Sequence, residues 1–157
     1  ILGVTLDCFS YHRSSDGGGG DWLSNVAFVK VDVEGFEIAA FRGMRNSLFR
    51  EGSSTKVGGM IVEVGPDRWG RANIGFEAGV EEMKNLAENH FEKSYILVRA
   101  EGGHAKTCPV SLADVVADKN PEEFEGNKMY EVKLEEWEPL LKKMESSHFD
   151  CNFYFKN

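Results

Sequence analysis

Lys30, Asp32 and Glu34 alternate with Val29, Val31 and Val33 in Phe28-Val-Lys-Val-Asp-Val-Glu-Gly35, and Glu63 sits near the end of a second apolar run, Gly59-Met-Ile-Val-Glu-Val-Gly65. Successive side chains along a strand point to opposite faces, so the three charges are expected to share one face with Phe28 and the three valines the other. An unpaired charge on a fully covered strand costs several kcal/mol, which a cleft at the strand's carboxyl end avoids. In a parallel sheet neighbouring strands end at one edge about 4.8 Å apart, so Asp32, Glu34 and Glu63 should converge there. Crowded carboxylates raise one another's pKa, tuning one as a general base, or they are neutralised by Lys30 or a divalent ion. The structural alternative is an ion-pair network with Lys30 plus helix capping by Glu34 and Glu37. No residue set is assigned to a metal.

Other chemistry finds less support. His12, His90, His104 and His148 have no spacing that places two imidazoles on one ion; His104, flanked by Gly103 and Ala105, is the one that a mobile loop could carry to a cleft. There is no Gly-x-Ser-x-Gly elbow. Trp69, in the run Pro66-Asp-Arg-Trp69 that directly follows the Glu63 strand, is a candidate for lining the cleft.

The elements that would position these residues follow from periodicity. Glu37 to Arg50 reads as a helix through Ile38, Phe41, Met44 and Leu48, acid first and base last. Phe76, Val80, Met83, Leu86 or Ala87, and His90 or Phe91 space a second helix, and Lys93 to Arg99 reads as a third strand. This β-α-β-α-β order predicts a mostly parallel sheet with helices on both faces and ligands at the strands' carboxyl ends. Residues 100–133 read as a loop-rich excursion with one short helical stretch at Ser111 to Val116, a candidate substrate lid. A last helix follows around Leu134, Trp137, Leu141 and Met144, with Pro139 kinking it or marking its start. Cys151 to Phe155 is the final strand, expected antiparallel beside Lys93 to Arg99. Ser14 to Asp21, with four consecutive glycines, reads as a surface loop and not as a phosphate cradle, since no apolar strand precedes it.

With 157 residues and 41% hydrophobic content the chain suits one domain. A formal charge of −8 opposes a partner bound through nucleic-acid phosphates, and no apolar run spans a bilayer. Ile1 opens the chain without a Met or a secretory pattern, so the true amino terminus is expected upstream. Cys8, Cys108 and Cys151 are widely spaced and are expected to be reduced thiols, with the compartment open and the cytoplasm slightly favoured.

Val4-Thr-Leu-Asp7, Phe28-Val-Lys-Val-Asp-Val-Glu-Gly-Phe-Glu37, Arg42-Gly43 and Met60-Ile-Val-Glu63 resemble, in order and spacing, the FkbM family of methyltransferases. The resemblance covers Val4 to about Val64 well and the remainder loosely. It implies the carboxyl-terminal portion of an S-adenosylmethionine-dependent, Rossmann-like class I methyltransferase domain, with the first strands and the cofactor's Gly-rich loop missing. The charged strand is then the sheet's fourth, and Glu63 ends its fifth. The implied substrate is a hydroxyl of a sugar or natural product, with Asp32, or Glu34 or Glu63, steering the proton and Lys30 tuning it. The isolated chain is expected to be inactive. Two other readings remain: a non-catalytic remnant used as a binding module, and a glycoside hydrolase built on Asp32 and Glu63.

Overall fold

The computed structural model describes residues 4–8, 26–49, 57–99, 108–118, 120–124 and 127–157. The Ser14 to Asp21 loop, His12, His104 and the breaker at 52–55 lie outside the described residues. In chain order the elements are β1 (Phe28–Val31), α1 (Glu37–Leu48), β2 (Gly59–Val64), a 3-10 turn (Pro66–Ala72), α2 (Phe76–His90) and β3 (Lys93–Arg99). A second 3-10 turn (Val110–Val115), β4 (Glu122–Phe124), β5 (Asn127–Glu131), a short 3-10 turn (Leu134–Glu136), α3 (Trp137–Ser147) and β6 (Cys151–Lys156) complete it.

The six strands form one open mixed sheet in the order β1-β2-β6-β3-β5-β4. Only β1 and β2 pair in parallel; the other four pairings are antiparallel. The expectation of a mostly parallel sheet is therefore corrected. The physical reason is the position of β6: it enters antiparallel between β2 and β3, so these two co-directional strands never touch each other. Its predicted antiparallel partner, β3, is correct, but β2 is a second one. The rest of the change comes from 100–133, where two strands, β4 and β5, extend the sheet as a hairpin beyond β3 in place of the expected loop.

β6 owes its central place to composition. Cys151, Phe153 and Phe155 are wholly buried, while the alternate Asn152 and Tyr154 are half-buried. The same alternation puts Met60, Val62 and Val64 of β2 and Ile96 and Val98 of β3 into the core. Val31 pairs with Val62 and Lys30 with Ile61, so β1 keeps this division of faces. The helices form one layer over the apolar face, α1 against α2 and α2 against α3. The expectation of helices on both faces is not met by the described residues. On the other face Phe28, Tyr154 and Tyr95 make a row of rings, 6.3 and 6.2 Å between successive centroids.

Periodicity placed the helices because each buries one stripe. α2 turns Val80, Met83 and Leu86 inward, and Gly79 lies against Trp69, whose ring a Cβ there would overlap. α3 starts at Trp137, so Pro139 falls in its first turn, where no intrahelical donor is lost, and no kink is needed. Trp137 lies parallel to Phe155 at 5.7 Å and anchors α3 on β6. Among the described residues no helix is long and apolar enough to cross a membrane.

Cys108 and Cys151 form a disulfide with Cα atoms 4.7 Å apart, which corrects the expectation of reduced thiols; Cys8 alone is free and exposed. The pair is 43 residues apart in sequence and meets only because β6 is threaded into the middle of the sheet. The bond ties the segment before the Val110 turn to the first residue of β6. Because it closes a separation of 43 residues, reducing it with a dithiol should lower the unfolding free energy by about 4 kcal/mol on the chain-entropy account, measured by urea unfolding with and without reductant.

Candidate functional site

β1 ends at Val31, and the chain runs on through Asp32 and Val33 into a tight turn at Glu34 and Gly35, with φ of 54° and 100°. The Phe36 amide closes it on the Val33 carbonyl at 3.3 Å. Two successive positive φ values favour glycine, and at Gly35 the need is absolute for a second reason. A Cβ there would lie 2.6 Å from the Arg68 carbonyl oxygen and 2.7 Å from the Arg68 Cβ. The 3-10 turn that follows β2 is thus seated directly on the β1-to-α1 turn. Its own start comes from Gly65-Pro66, which stops β2, and from the Arg68 amide bonding the Gly65 carbonyl at 3.0 Å.

Glu37, the first residue of α1, is completely buried. Its Oε1 accepts the Gly35 amide at 2.7 Å and its Oε2 accepts the Trp69 indole N–H at 3.2 Å. Burial nevertheless pushes its pKa up, outweighing the hydrogen bonds to the Gly35 and Glu37 amides and to Trp69 that favour the charged form. Glu37 is therefore a structural bolt between the two turns. Trp69, expected to line the cleft, is buried and serves this join instead, stacked at 6.2 Å on Phe76.

Asp32, Glu34 and Glu63 do converge: each offers a carboxylate oxygen within 4.8 Å of the other two. Asp32 and Glu34 are exposed and Glu63 is partly covered. The premise of a charged strand sealed on both faces is corrected, since the strand ends before Asp32 and the face carrying Phe28 and Lys30 is open to solvent. Val33, expected in the core, is also exposed, because the turn takes over from the strand alternation there. Lys30 reaches Asp32 at 3.2 Å, with side chains 65% and 38% exposed, so water screens the pair strongly. The Glu63 pKa is raised, first by burial and then by the charges of Asp32 and Asp150, with Lys30 opposing.

Two residues that sequence reasoning missed complete the cluster. Arg68, with a side chain only 14% exposed, pairs through one terminal nitrogen with Glu34 and through the other with Asp150 at 2.6 Å and Glu63 at 3.8 Å. Neither its Nε nor the terminal nitrogen facing Asp150 and Glu63 has a hydrogen-bond partner among the described residues, so those two contacts are ion pairs. Arg71 donates to the Glu34 carbonyl at 3.0 Å. Beside the Arg68–Asp150 pair, Asp67 meets His148 Nδ1 at 3.1 Å, so two adjacent contacts tie the 3-10 turn to the link before β6. Arg68 carried a usable signal, a cation directly after the Glu63 strand. Asp150 carried none, because its approach depends on β6 running between β2 and β3.

The segments at Thr5 to Asp7 and Gly43 to Ser47 also meet. The Asp7 carboxylate accepts the Ser47 amide at 2.7 Å and both nitrogens of Asn46 at 3.1 Å. Thr5 covers α1 so closely that a Cβ on Gly43 would lie 3.2 Å from its methyl. A separate groove of about 640 Å³ lies between α2 and α3, edged by Glu81, Lys84, Glu138 and Lys142, and shares no residue with the carboxylate cluster.

Two outcomes follow from the turn and its bolt. Gly35→Ala should lower stability by about 2 kcal/mol or more, through both left-handed strain and overlap with Arg68, as read from the urea midpoint. For Glu37 and Glu63 the folded pKa lies above the unfolded one, so the folded chain retains protons that the unfolded chain releases. Stability from these groups is full below the ordinary glutamate pKa and is lost as pH rises through the raised values. Glu37→Gln keeps one of the two side-chain hydrogen bonds, so it should lower stability yet flatten this decline in a series of urea titrations across that window.

No family model matches the chain, and no match was found among curated proteins or solved structures.

Proposed function

We propose that this chain is the acceptor-side portion of an FkbM-like, Rossmann-like class I methyltransferase domain that transfers a methyl group from S-adenosylmethionine to a hydroxyl of a sugar or small natural product. The observation that carries the reading is the meeting of Asp32, Glu34 and Glu63 within 4.8 Å at the carboxyl edge of two parallel strands. The antiparallel entry of β6 between β2 and β3 supports it, as do the contacts of Thr5 and Asp7 with the helix carrying Gly43.

The described residues do not form the donor's site. Of the glycines between a strand and the following helix, Gly35 and Gly65 both have Arg68 within 2.7 Å of where a Cβ would stand, so neither leaves an open cradle. No step is therefore routed through the cofactor, which supplies the electrophilic methyl carbon when bound. On this reading the chain's own task is to orient the acceptor hydroxyl and take its proton. Glu63 suits the second role better than Asp32, because burial and the neighbouring carboxylates raise its basicity toward the working range of a general base. Asp32, balanced by Lys30, accepts a hydrogen bond from the acceptor, and Glu34 with Arg68 forms the far wall.

The absence of a donor cradle among the described residues favours one other reading, a non-catalytic binding module. The buried Cys108–Cys151 disulfide favours maturation in an oxidising compartment over the cytoplasm.

With S-adenosylmethionine and the whole protein that carries this chain, Glu63→Gln should lower methyl transfer roughly a hundred- to ten-thousand-fold, and Asp32→Asn should reduce it less. Unchanged transfer in both variants sinks the assignment. Calorimetric titration of that whole protein with S-adenosylmethionine distinguishes the binding-module reading, which predicts no heat and no transfer.

A further inference from the structure

Four carboxylates from three separate places approach one another at this edge: Asp32 and Glu34 after β1, Glu63 in β2 and Asp150 before β6. Left alone they would repel and splay apart, since like charges a few ångströms apart in a partly covered cleft oppose each other by more than solvent-exposed pairs do. Lys30 pairs with Asp32 and also opposes the rise of the Glu63 pKa, from an exposed position. Arg68 is the cation placed to reach the rest. Its guanidinium contacts Glu34, Asp150 and Glu63, and its backbone is locked by Gly35 on one side and by its bond to Gly65 on the other. At Gly65 itself a Cβ would collide with both Arg68 and Asp150, so the chain leaves space there for this one side chain.

We propose that Arg68 is the positioning residue of the site: anchored on Asp150, its guanidinium holds Glu34 and Glu63 facing one point and thereby sets when Glu63 is available to accept a proton. This rests on the acceptor-side reading above only for its link to methyl transfer. Arg68 acts through the carboxylates and has no assigned contact with substrate. Asp150 is a partner with two effects, since it fixes Arg68 yet adds a negative charge that keeps Glu63 protonated to higher pH. The groups facing Glu63 are Asp32, Glu34 and Lys30 from the β1 end, Glu37 from α1, Arg68 from the 3-10 turn and Asp150 from the β6 link, with the neutral Asn152 opposite it in register. Of the two cations, Arg68 is the one ion-paired with Glu63, at 3.8 Å, and its removal leaves every carboxylate in place.

The test is a titration of the Glu63 side-chain carboxyl by carbon NMR in the full oxidised chain, with thermal melts confirming that each variant is folded. Arg68→Gln should move the Glu63 midpoint upward, Asp150→Asn should move it downward, and Arg68→Lys should hold it close to the wild-type value while loosening the Glu34 contact. In a methyl-transfer assay the rising limb of the pH–rate profile should move with the midpoint, so that Arg68→Gln loses on the order of tenfold in rate on the acid side and recovers at alkaline pH. A purely structural Arg68 would lower the rate equally at every pH. The proposal is overturned if a folded Arg68→Gln chain leaves the Glu63 midpoint in place, or if Arg68→Gln and Asp150→Asn move it in the same direction. Where Arg68→Gln does not fold, the same measurement on Arg68→Met decides: an upward move of the Glu63 midpoint supports the proposal and no move overturns it. Midpoints that move as stated without any methyl transfer uphold the role of Arg68 and refute the methyltransferase reading, so the two failures are separable.

Discussion

The absence of a side chain at Gly35 is the constraint on which the site depends. Because nothing projects from that residue, the Arg68 backbone can press against the β1-to-α1 turn, with a hypothetical Cβ separated from the Arg68 carbonyl by only 2.6 Å. Everything nearby inherits its place from that approach. Trp69 comes within reach of Glu37, Arg71 within reach of the Glu34 carbonyl, and the Arg68 guanidinium within reach of three carboxylates. Beyond its amide's hydrogen bond to Glu37, the glycine permits the other contacts by being small and by tolerating a φ of 100°.

Charge at this edge divides by burial. Glu37 is sealed and hydrogen-bonded through both oxygens, and it joins two turns while its pKa is raised. Asp32 and Glu34 face water, which screens the pairing of Asp32 with Lys30. Glu63 lies between these extremes, covered enough to feel Asp32 and Asp150 and open enough to meet a ligand. That intermediate position, more than the number of acids present, separates a carboxylate suited to proton transfer from those suited to holding the fold or orienting a partner.

Much of this was legible along the chain. The helices at Glu37–Leu48 and Phe76–His90 and the strands at Gly59–Val64 and Lys93–Arg99 follow from local periodicity, which needs no knowledge of neighbours. Convergence of Asp32, Glu34 and Glu63 was likewise foreseeable, because two consecutive parallel strands joined by a helix must end at the same edge. What failed were inferences about neighbours distant in sequence. β4 and β5 are short and lack clean alternation, so their pairing with β3 is not encoded locally. The alternation of β1 was extended past Val31 into Asp32, Val33 and Glu34, although Glu34-Gly35 is itself a turn signal that resets which way side chains point.

The sequence by itself determined the order of β1, α1, β2, α2, β3, α3 and β6 and their apolar stripes, since each depends on residues within a few positions of one another, and the β-α-β order brought Asp32, Glu34 and Glu63 to one edge. Tertiary structure decided that β6 lies between β2 and β3, because Cys151, Phe153 and Phe155 bury fully only where both neighbours cover them. From that one placement come the mostly antiparallel sheet, the Cys108–Cys151 bond and the arrival of Asp150 beside Arg68. These are contacts between residues tens of positions apart, and no local pattern of residue types records which distant partner a strand will choose.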